Sequence, residues 1–401
     1  MSRRGVPPVG RLEIVHVVRS LDPAAGGVPI IALKLAVAQA AEGHGVRMLV
    51  YRVPGAEAEV RSVLAGIGGS DRVEVRYVAA EDRLEALTGW RAGRVAAELM
   101  ASVDVAHLHG VWEPMLKRVA SAARFAGRPY VLTPHGMLDP WSMGQSALKK
   151  KLALRLGVKR MLDGAMFLHL GNRDERELIV PLGISAPSEL IPNGVYESEV
   201  ASLPAPGVFR AAHPAVGDDP FVLFLSRLHF KKGLDYLAGA FAMVAGDFPR
   251  LRLVVAGPDG GARGEFEAAV SASGLSGRVH VVGPLYGEIK AAALVDCAVF
   301  CLPSRQEGFS MAITEAMGAG CPCVVTKACH YPEVEESGAG YCVELSAVGV
   351  AEGLTRVLGD PDAKSRMGAA GRALVLSRFT WPVIGRLAVD YYRKHGNVDG
   401  R

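Results

Sequence analysis

Short apolar, β-branched runs alternate with longer stretches of helical periodicity along the whole 401-residue chain. This alternation is typical of parallel α/β layers, in which a helix follows each strand. In the first half the pattern predicts strands at 12–18, 46–53, 73–78, 105–109, 130–134 and 166–170. In the second half it predicts strands at 221–226, 252–256, 279–283, 298–303, 323–326 and 341–343. Each half therefore has enough strands for a sheet of its own.

A segment rich in proline and glycine separates the two halves. It begins with Ile-Pro-Asn-Gly-Val at 191–195 and ends with Ala-Ser-Leu-Pro-Ala-Pro-Gly at 201–207. Because proline and glycine interrupt regular structure, we place a hinge there and predict one domain over 1–195 and another over 196–378. A last helix is predicted within 379–401, and we expect it to pack back on the first domain because no strand follows it.

Composition and charge are those of an ordinary globular protein, with half the residues hydrophobic and 21% charged. The balance of 45 Lys+Arg against 41 Asp+Glu argues against nucleic acid as a partner. Six cysteines stand in apolar surroundings without zinc-ligand spacing and are expected to be small buried hydrophobes. With neither a signal-peptide pattern nor an apolar run of membrane-spanning length, we expect a cytoplasmic protein.

Ligands of an open parallel sheet bind at the carboxyl ends of its strands, so the loops there are candidate sites. The loop at 226–233 follows a predicted strand and carries Arg227 and Lys232. A guanidinium can bind phosphate oxygens in a fork and an ammonium supplies a point charge, so the two cations suit a diphosphate. The alternative is a solvated basic turn, because exposed lysine and arginine are common.

A second loop, at 304–315, leads into a helix for which Ser310 is the expected N-cap. The backbone N–H groups of Phe309, Ser310 and Met311 would then form an anion site at the helix start. Glu307 would lie in the loop and Glu315 in the second helical turn, and a carboxylate can accept two hydroxyl hydrogen bonds from a diol. The alternative is one surface glutamate and one glutamate that caps the helix.

Two further loops lie in the first half. Gly26 and Gly27 precede a helix predicted over 29–41 and would let the backbone approach a ligand closely. His135 ends a predicted strand and could donate a hydrogen bond to a sugar hydroxyl or stabilise charge, although His16, His107 and His109 compete for such a role. Neither GxGxxG nor GxxxxGK[ST] follows any of these strands, which argues against NAD enzymes and P-loop NTPases.

Taken together, these loops resemble the retaining glycosyltransferases of family 4, also called group 1, which have the GT-B fold. The resemblance covers nearly the whole chain, and its paired-glutamate motif is met by Glu307 and Glu315. Other matching pieces are Gly26-Gly27, Gly43-His44, Thr-Pro-His-Gly at 133–136, Pro-Asn-Gly at 192–194, Ser226-Arg227 with Lys232-Gly233, and Gly-Pro-Leu-Tyr at 283–286. Ser310 stands where the family more often has glycine, and Tyr196 where it often has aspartate. The resemblance implies two Rossmann-like doubly wound domains facing a central cleft.

The resemblance also implies roles for the candidate residues in holding a nucleotide-sugar donor. Arg227 and Lys232 would neutralise the diphosphate leaving group. Glu315 would bind the ribose hydroxyls and Glu307 the donor sugar. The backbone around Leu285 would receive the base, the Gly26-Gly27 loop would close on the phosphates, and His135 would lie beside the sugar.

The implied reaction is front-face transfer with retention, in which the departing diphosphate takes the proton of the acceptor. We expect no metal and no cofactor, because no DxD-like motif stands at a strand end. The acceptor would be a glycan or a lipid-linked glycan in the assembly of exopolysaccharide or lipopolysaccharide. Two alternatives remain open: a GT-B-fold nucleotide-sugar epimerase and a catalytically silent nucleotide-sugar-binding protein.

The stretch 148–160 has six basic residues and no acidic one. Such a helix can hold a protein at an anionic lipid surface, which would place the chain at the inner face of the membrane. Apolar and basic positions interleave along it, so a plain solvated face is the alternative.

Overall fold

The computed structural model describes residues 10–396, and within them the chain divides into two compact units. The second unit is Gly194–Thr380, and the first comprises the described residues before and after it. Each unit contains one parallel sheet with helices in the connections, as the sequence pattern predicts for both halves. Among residues 10–396 no helix is long and apolar enough to cross a bilayer.

The first unit is built on a seven-stranded parallel sheet in the order β3-β2-β1-β4-β5-β6-β7. Its strands are β1 (Glu13–Val17), β2 (Gly45–Tyr51), β3 (Val73–Val78), β4 (Val105–His109), β5 (Tyr130–Thr133), β6 (Phe167–Leu170) and β7 (Ser188–Leu190). Strands β4, β5 and β6 are buried at every position, as expected for strands covered on both faces. Adjacent strands of this central part therefore bring their carboxyl ends, and the loops that follow them, to one edge.

Strand β7 has no counterpart among the predicted strands. It is three residues long, Ser-Glu-Leu, and it pairs with β6 at the edge of the sheet. A segment this short, with two polar residues and prolines at 187 and 192, lacks the apolar run that predicts a strand. Its pairing depends on the neighbouring strand rather than on its own sequence.

Between residues 10 and 193, nine α-helices lie between or beside these strands. They are α1 (Gly27–Ala41), α2 (Glu57–Gly66), α3 (Arg83–Thr88), α4 (Trp90–Met100), α5 (Pro114–Phe125), α6 (Pro140–Gly144), α7 (Ala147–Ala153), α8 (Lys159–Asp163) and α9 (Arg173–Ile179). Helix α1 starts at Gly27, two residues before the predicted start at Pro29. A π-helical turn over Leu154–Val158 joins α7 to α8, and its backbone leaves helical geometry at Leu156 and Gly157.

The second unit has a six-stranded parallel sheet in the order β10-β9-β8-β11-β12-β13. Its strands are β8 (Phe221–Leu225), β9 (Arg252–Ala256), β10 (Val279–Gly283), β11 (Val299–Leu302), β12 (Cys323–Thr326) and β13 (Gly340–Val343). Its helices are α10 (Glu197–Ala201), α11 (Val208–Ala212), α12 (Leu234–Val244), α13 (Arg263–Ala272), α14 (Gly287–Asp296), α15 (Met311–Gly318), α16 (Glu333–Glu336), α17 (Ala347–Leu358) and α18 (Ala363–Arg378). The central strands β8 and β11 are fully buried, so the loops that follow them lie on a rigid base.

The last described helix, α19 (Trp381–Gly396), belongs to the first unit and packs against α1. Its buried face includes Trp381, Ile384 and Tyr392. The Tyr392 hydroxyl lies 3.1 Å from the side-chain nitrogen of Gln39 in α1. Two segments far apart in sequence thus share one core.

Five of the six cysteines are buried and Cys342 is half-buried. Burial raises the pKa of the Cys329 thiol to about 12 and that of Cys342 to about 11. Thiols of this kind are protonated near neutral pH and pack as small hydrophobes, as their apolar sequence context predicts.

Candidate active site

The loop after β8 carries two basic side chains, the exposed Arg227 and the ion-paired Lys232. Arg227 is exposed, and its guanidinium makes no ion pair with any residue of 10–396. The stem of its side chain lies over Gly260, where an added Cβ would stand 3.0 Å from the Arg227 Cγ and Cδ atoms. The head group is therefore held at the strand end with its five donors available to an anion.

Lys232 ends a 3-10 turn over Phe230–Lys232, which the His229 ring caps by accepting the Lys231 N–H. Gly233 follows in the left-handed region with φ +68°. A Cβ at Gly233 would lie 1.9 Å from the Pro303 carbonyl oxygen, so only glycine lets this turn approach the end of β11 so closely. The approach brings Lys232 to the loop that carries Glu307.

The Lys232 ammonium bonds both carboxylate oxygens of Glu307, at 2.6 and 2.8 Å. Ser304 donates its hydroxyl to Glu307 Oε1 at 2.6 Å. The exposed fraction is only 19% for the lysine side chain and 9% for the glutamate side chain, so water screens this pair little. The two predicted residues thus form one charged cluster, and Ser304 joins it although the sequence did not single it out.

The loop after β11 leads into α15 as predicted, with Ser310 at the N-cap position. The Ser310 side chain makes no capping hydrogen bond. Among the described residues no acceptor is recorded for the backbone N–H groups of Phe309, Ser310 and Met311. The Phe309 ring packs against the rings of Tyr331 and Phe379, so only its backbone is available to a ligand.

Glu315 lies in the second turn of α15, where its Oε1 atom accepts a hydrogen bond from Lys290 Nζ of α14 at 2.8 Å. Both side chains line a cavity of about 560 Å³, together with Gly287, Glu199 and Pro204. Leu285 is buried and lies two residues before Gly287 in the sequence. The cavity is large enough for a nucleoside, since small-molecule pockets start at about 300 Å³. Lys290 was missed because no local pattern connects it with Glu315.

The other candidate residues lie in the first unit. Gly26 is the N-cap of α1, with φ +95° and ψ −156°, a conformation open to glycine. No atom would stand within 4 Å of a Cβ at Gly26 or Gly27, so the loop has open space beside it.

His135 follows β5 with φ +52°, an uncommon conformation for a residue other than glycine. The buried carboxylate of Glu175 holds the segment by accepting the N–H groups of Gly136 and Gly171, each at 2.8 Å. Burial lowers the pKa of His135 to about 3. The imidazole is therefore neutral near pH 7 and can exchange hydrogen bonds, but it does not bring a positive charge.

The three competing histidines are not alternatives to His135 but its neighbours. His16, His107 and His109 are fully buried, and His109 Nδ1 lies 3.1 Å from His135 Nε2. Histidine content and strand-end position signalled this group in the sequence, whereas its mutual contacts depend on the sheet order.

Comparison with known proteins gives two family matches that together span most of the chain. Residues 26–194 match the family described as glycosyl transferase 4-like domain. Residues 208–374 match the family described as glycosyl transferases group 1. The first matched segment covers the first unit from residue 26 and ends at the first residue of the second unit, and the second segment lies within the second unit.

Relatives agree with these matches. The phosphatidyl-myo-inositol mannosyltransferase of Mycobacterium leprae is 29% identical over 386 residues, which cover 92% of each chain. The GDP-mannose:cellobiosyl-diphosphopolyprenol alpha-mannosyltransferase of Xanthomonas oryzae pv. oryzae is 25% identical over 409 residues, covering 95% of this chain and 97% of the relative. Among solved structures, Anabaena HepE in complex with UDP superposes with a TM-score of 0.75 at 18% identity, over 96% of this chain and 100% of that one.

The two Rossmann-like parallel-sheet units have the GT-B fold, and the family matches identify a glycosyltransferase. The chain belongs to the group 1 glycosyltransferases, also called family 4. The relative from Xanthomonas oryzae pv. oryzae is named for GDP-mannose as its donor.

Proposed function

We propose that the protein transfers a hexose, with retention of anomeric configuration, from a nucleoside diphosphate sugar to a hydroxyl of a glycan or lipid-linked acceptor. The cluster of Lys232, Glu307 and Ser304 carries the proposal. It joins a cation suited to a phosphate and a carboxylate suited to sugar hydroxyls at one point. The bond that breaks in the donor joins a sugar to a phosphate, so both kinds of group are needed there.

The electrostatics of the second unit support this assignment. Arg227 has no anionic partner within residues 10–396, and Lys232 has one partner that a diphosphate can share. Negative charge grows on the diphosphate as it departs, and fixed cations stabilise that charge more in the transition state than in the ground state. The backbone N–H groups of Phe309, Ser310 and Met311 add donors at the start of α15.

The nucleoside is assigned to the cavity beside Glu315. This carboxylate can accept both ribose hydroxyls, and Gly287 and Glu288, which also line the cavity, follow closely on Leu285, whose backbone would contact the base. In the first unit, Gly26 and Gly27 would contact the phosphates and His135 a sugar hydroxyl. These roles come from the family resemblance, with the open space at the glycines as support.

Mannose from GDP-mannose is the first donor to test, because relatives are named for that donor. The same names support a lipid-linked or glycolipid acceptor. We also propose a place in the assembly of cell-surface polysaccharide, which the family resemblance implies. In front-face transfer the departing phosphate oxygen takes the proton of the acceptor hydroxyl, so no side-chain base is required. We also propose that transfer needs no metal ion.

The test is a transfer assay with GDP-mannose and UDP-hexoses, using polyprenyl-diphosphate-linked glycans and phosphatidylinositol as acceptors. The anomeric configuration of the product is read by NMR. We expect an α-linked product from an α-linked donor and equal rates with and without EDTA. An inverted product would contradict retention, restoration of EDTA-treated enzyme by a divalent ion would contradict metal independence, and a donor epimerised without acceptor would identify an epimerase.

The basic segment 148–160 presents an apolar row to solvent. Leu148, Leu152 and Leu156 are 84%, 56% and 65% exposed. Leu148 and Leu152 are one turn apart in α7 and Leu156 lies in the π-helical turn that follows, and Lys149, Lys151 and Arg155 next to them in sequence are also exposed. Lys150 instead turns inward, where its ammonium bonds the Ser142 carbonyl oxygen at 2.7 Å. The exposed face therefore combines leucines with cations, which is the composition of a helix that lies on an anionic bilayer.

We propose that this face contacts the membrane that holds the acceptor. Co-sedimentation with vesicles of phosphatidylglycerol and phosphatidylcholine should recover more protein than vesicles of phosphatidylcholine alone. Leu148→Ser with Leu152→Ser should reduce recovery at unchanged charge, whereas Lys149→Gln with Lys151→Gln should weaken it mainly at low salt. Equal recovery of wild type and both variants would contradict the proposal.

A further inference from the structure

The core of the first unit contains five histidines joined by hydrogen bonds. His16 lies in β1, His107 and His109 in β4, His169 in β6, and His135 directly after β5. The first four are fully buried, and the ring centroids of His107 and His109 are 4.4 Å apart. Such a concentration of polar groups in a core costs stability unless every group has a partner.

The direction of the hydrogen bonds follows from one carbonyl group. His169 Nε2 lies 2.7 Å from the Ile191 carbonyl oxygen, which can only accept, so this nitrogen carries a proton. Burial lowers the pKa of His169 to about 4, so the ring is neutral and its Nδ1 has no proton. We assign the proton of His107 to Nε2, 3.3 Å away, because two lone pairs would otherwise face each other, and Thr133 Oγ1 then accepts the same N–H. The same nitrogen lies 2.6 Å from Thr133 Oγ1.

The same direction of hydrogen bonding extends through Tyr392 and Gln39. A neutral His107 protonated on Nε2 accepts at Nδ1, where the Tyr392 hydroxyl donates at 2.6 Å. The Tyr392 oxygen in turn accepts the Gln39 amide N–H at 3.1 Å. The other end of that amide, Gln39 Oε1, lies 2.7 Å from His16 Nε2, which must donate. With the amide in this orientation, each group from the Ile191 carbonyl to His16 faces a partner of the opposite kind.

Two further hydrogen bonds connect His16 to His135, which is partly exposed. His16 Nδ1 accepts from His109 Nε2 at 2.9 Å. His109 Nδ1 then accepts from His135 Nε2 at 3.1 Å. His135 therefore carries its proton on Nε2 and has a lone pair on Nδ1. Nδ1 has no recorded partner within residues 10–396, and the ring is only partly buried.

We propose that this histidine chain, from the Ile191 carbonyl through His169, His107, Tyr392, Gln39, His16 and His109, is a positioning device for His135. It fixes His135 as the neutral Nε2–H tautomer and leaves Nδ1 as a hydrogen-bond acceptor. An acceptor at this point selects a ligand hydroxyl and repels a phosphate oxygen, which has no proton to donate at neutral pH. His109 and the residues behind it act on the ligand only through His135. The ligand part of this inference rests on the proposed function, whereas the tautomers do not.

A metal ion is the competing explanation of the cluster, because ring nitrogens of His16, His107 and His109 lie within 4.8 Å of one another. The geometry of the nearest pair favours the hydrogen-bond chain. His16 Nδ1 and His109 Nε2 are 2.9 Å apart, whereas two nitrogens on a tetrahedral zinc ion are about 3.3 Å apart. Binding would also break bonds to Gln39, Tyr392 or His135 that already satisfy these rings.

Long-range ¹⁵N–¹H correlation NMR of the whole protein, labelled with ¹⁵N-histidine and assigned with single His→Gln variants, tests the tautomers without any substrate. At pH 7.5 we expect the signals of His16, His107, His109, His135 and His169 all to be those of the neutral Nε2–H form. An Nδ1–H or doubly protonated form at any of them would overturn the inference. So would zinc that co-purifies at one equivalent and whose removal by a chelator shifts these signals.

A matched pair of variants tests the positioning role. In His109→Asn the amide oxygen stands near the former Nδ1 and can accept from His135, whereas in His109→Gln the amide nitrogen keeps the bond to His16 and His135 loses its acceptor. With Tm values of both variants measured, we expect kcat near wild type for His109→Asn and about tenfold lower for His109→Gln, at similar donor KM. Equal losses of kcat in the two variants would overturn the positioning role. If the wild type transfers no sugar, the proposed function fails, while the NMR spectrum still decides on the chain.

Discussion

Glu307 and Glu315 are alike in sequence but have different partners. Glu307 contacts the Lys232 ammonium and the Ser304 hydroxyl, whereas Glu315 contacts Lys290 and lines the 560 Å³ cavity. The two carboxylates could be predicted from the spacing of a known motif. Their partner lysines do not, because Lys232 and Lys290 lie 75 and 25 residues away in sequence. Only the order of the strands brings them together.

The two carboxylates should therefore respond differently to substitution. Glu315→Gln should weaken the binding of the nucleoside diphosphate, because a ribose hydroxyl loses a charged acceptor, at a cost of about 1.5–3 kcal/mol. Glu307→Gln should leave that affinity unchanged or tighter, because Lys232 is released to the phosphates, while kcat falls. Isothermal titration with GDP and UDP gives the affinities and a transfer assay gives kcat. Similar losses of nucleotide affinity in both variants would refute this division.

Among the elements, the turn at Gly233 determines whether the basic loop reaches β11. Gly233→Ala should destabilise the second unit through the cost of the left-handed backbone, about 1–2 kcal/mol, and through the contact of the new Cβ with the Pro303 oxygen. Gly274→Ala is the control, because Gly274 has φ +71° and open space around its Cβ position. Urea unfolding should show the larger loss for Gly233→Ala. Equal losses would mean that the close approach contributes nothing.

Most elements of the fold could be predicted because long apolar runs mark buried parallel strands. Strand β7 could not, since three residues with little apolar character depend on β6 for their pairing. The exposed leucines of 148–160 could not be predicted either, because apolar and basic residues interleave in this segment. Lys150 turns inward through tertiary contacts with Ser142 and the Trp112 ring, which the sequence does not show. The local sequence pattern predicts local structure, but it does not predict contacts between segments that are distant in sequence.

For the whole molecule, the buried histidines predict a dependence of stability on pH. Burial lowers the pKa of His16 and His169 to about 4 and those of His107 and His109 well below the usual value of about 6.5. The unfolded chain binds protons that the folded chain does not, so this stability is complete above pH 6.5 and is lost as the pH falls towards 4. Burial raises the pKa of Glu113 and Glu175, and these two carboxyl groups oppose the trend, whereas the lowered pKa of His135 adds to it.

Urea unfolding at pH 7.5, 6.5 and 5.5 should show the free energy of unfolding decreasing mainly between pH 6.5 and pH 5.5. His169→Gln, whose amide can still donate to the Ile191 carbonyl, should have a slope shallower by about 1.4 kcal/mol per pH unit below pH 6.5. A flat profile, or the same slope in this variant, would mean that the histidines are protonated in the folded protein.

The central claim is that Lys232 of the second unit binds the diphosphate of a nucleotide-sugar donor. Titration calorimetry of GDP-mannose and UDP-glucose into wild type, Lys232→Met and Lys231→Met tests it most directly. We expect one donor to bind the wild type and to bind Lys232→Met about ten- to a hundredfold more weakly, since a charge-assisted contact is lost. Lys231→Met removes the same charge one residue away, from a lysine bonded to Gln306, and should change affinity by about twofold or less. Equal affinities of wild type and Lys232→Met, or equal losses in the two variants, would contradict the account.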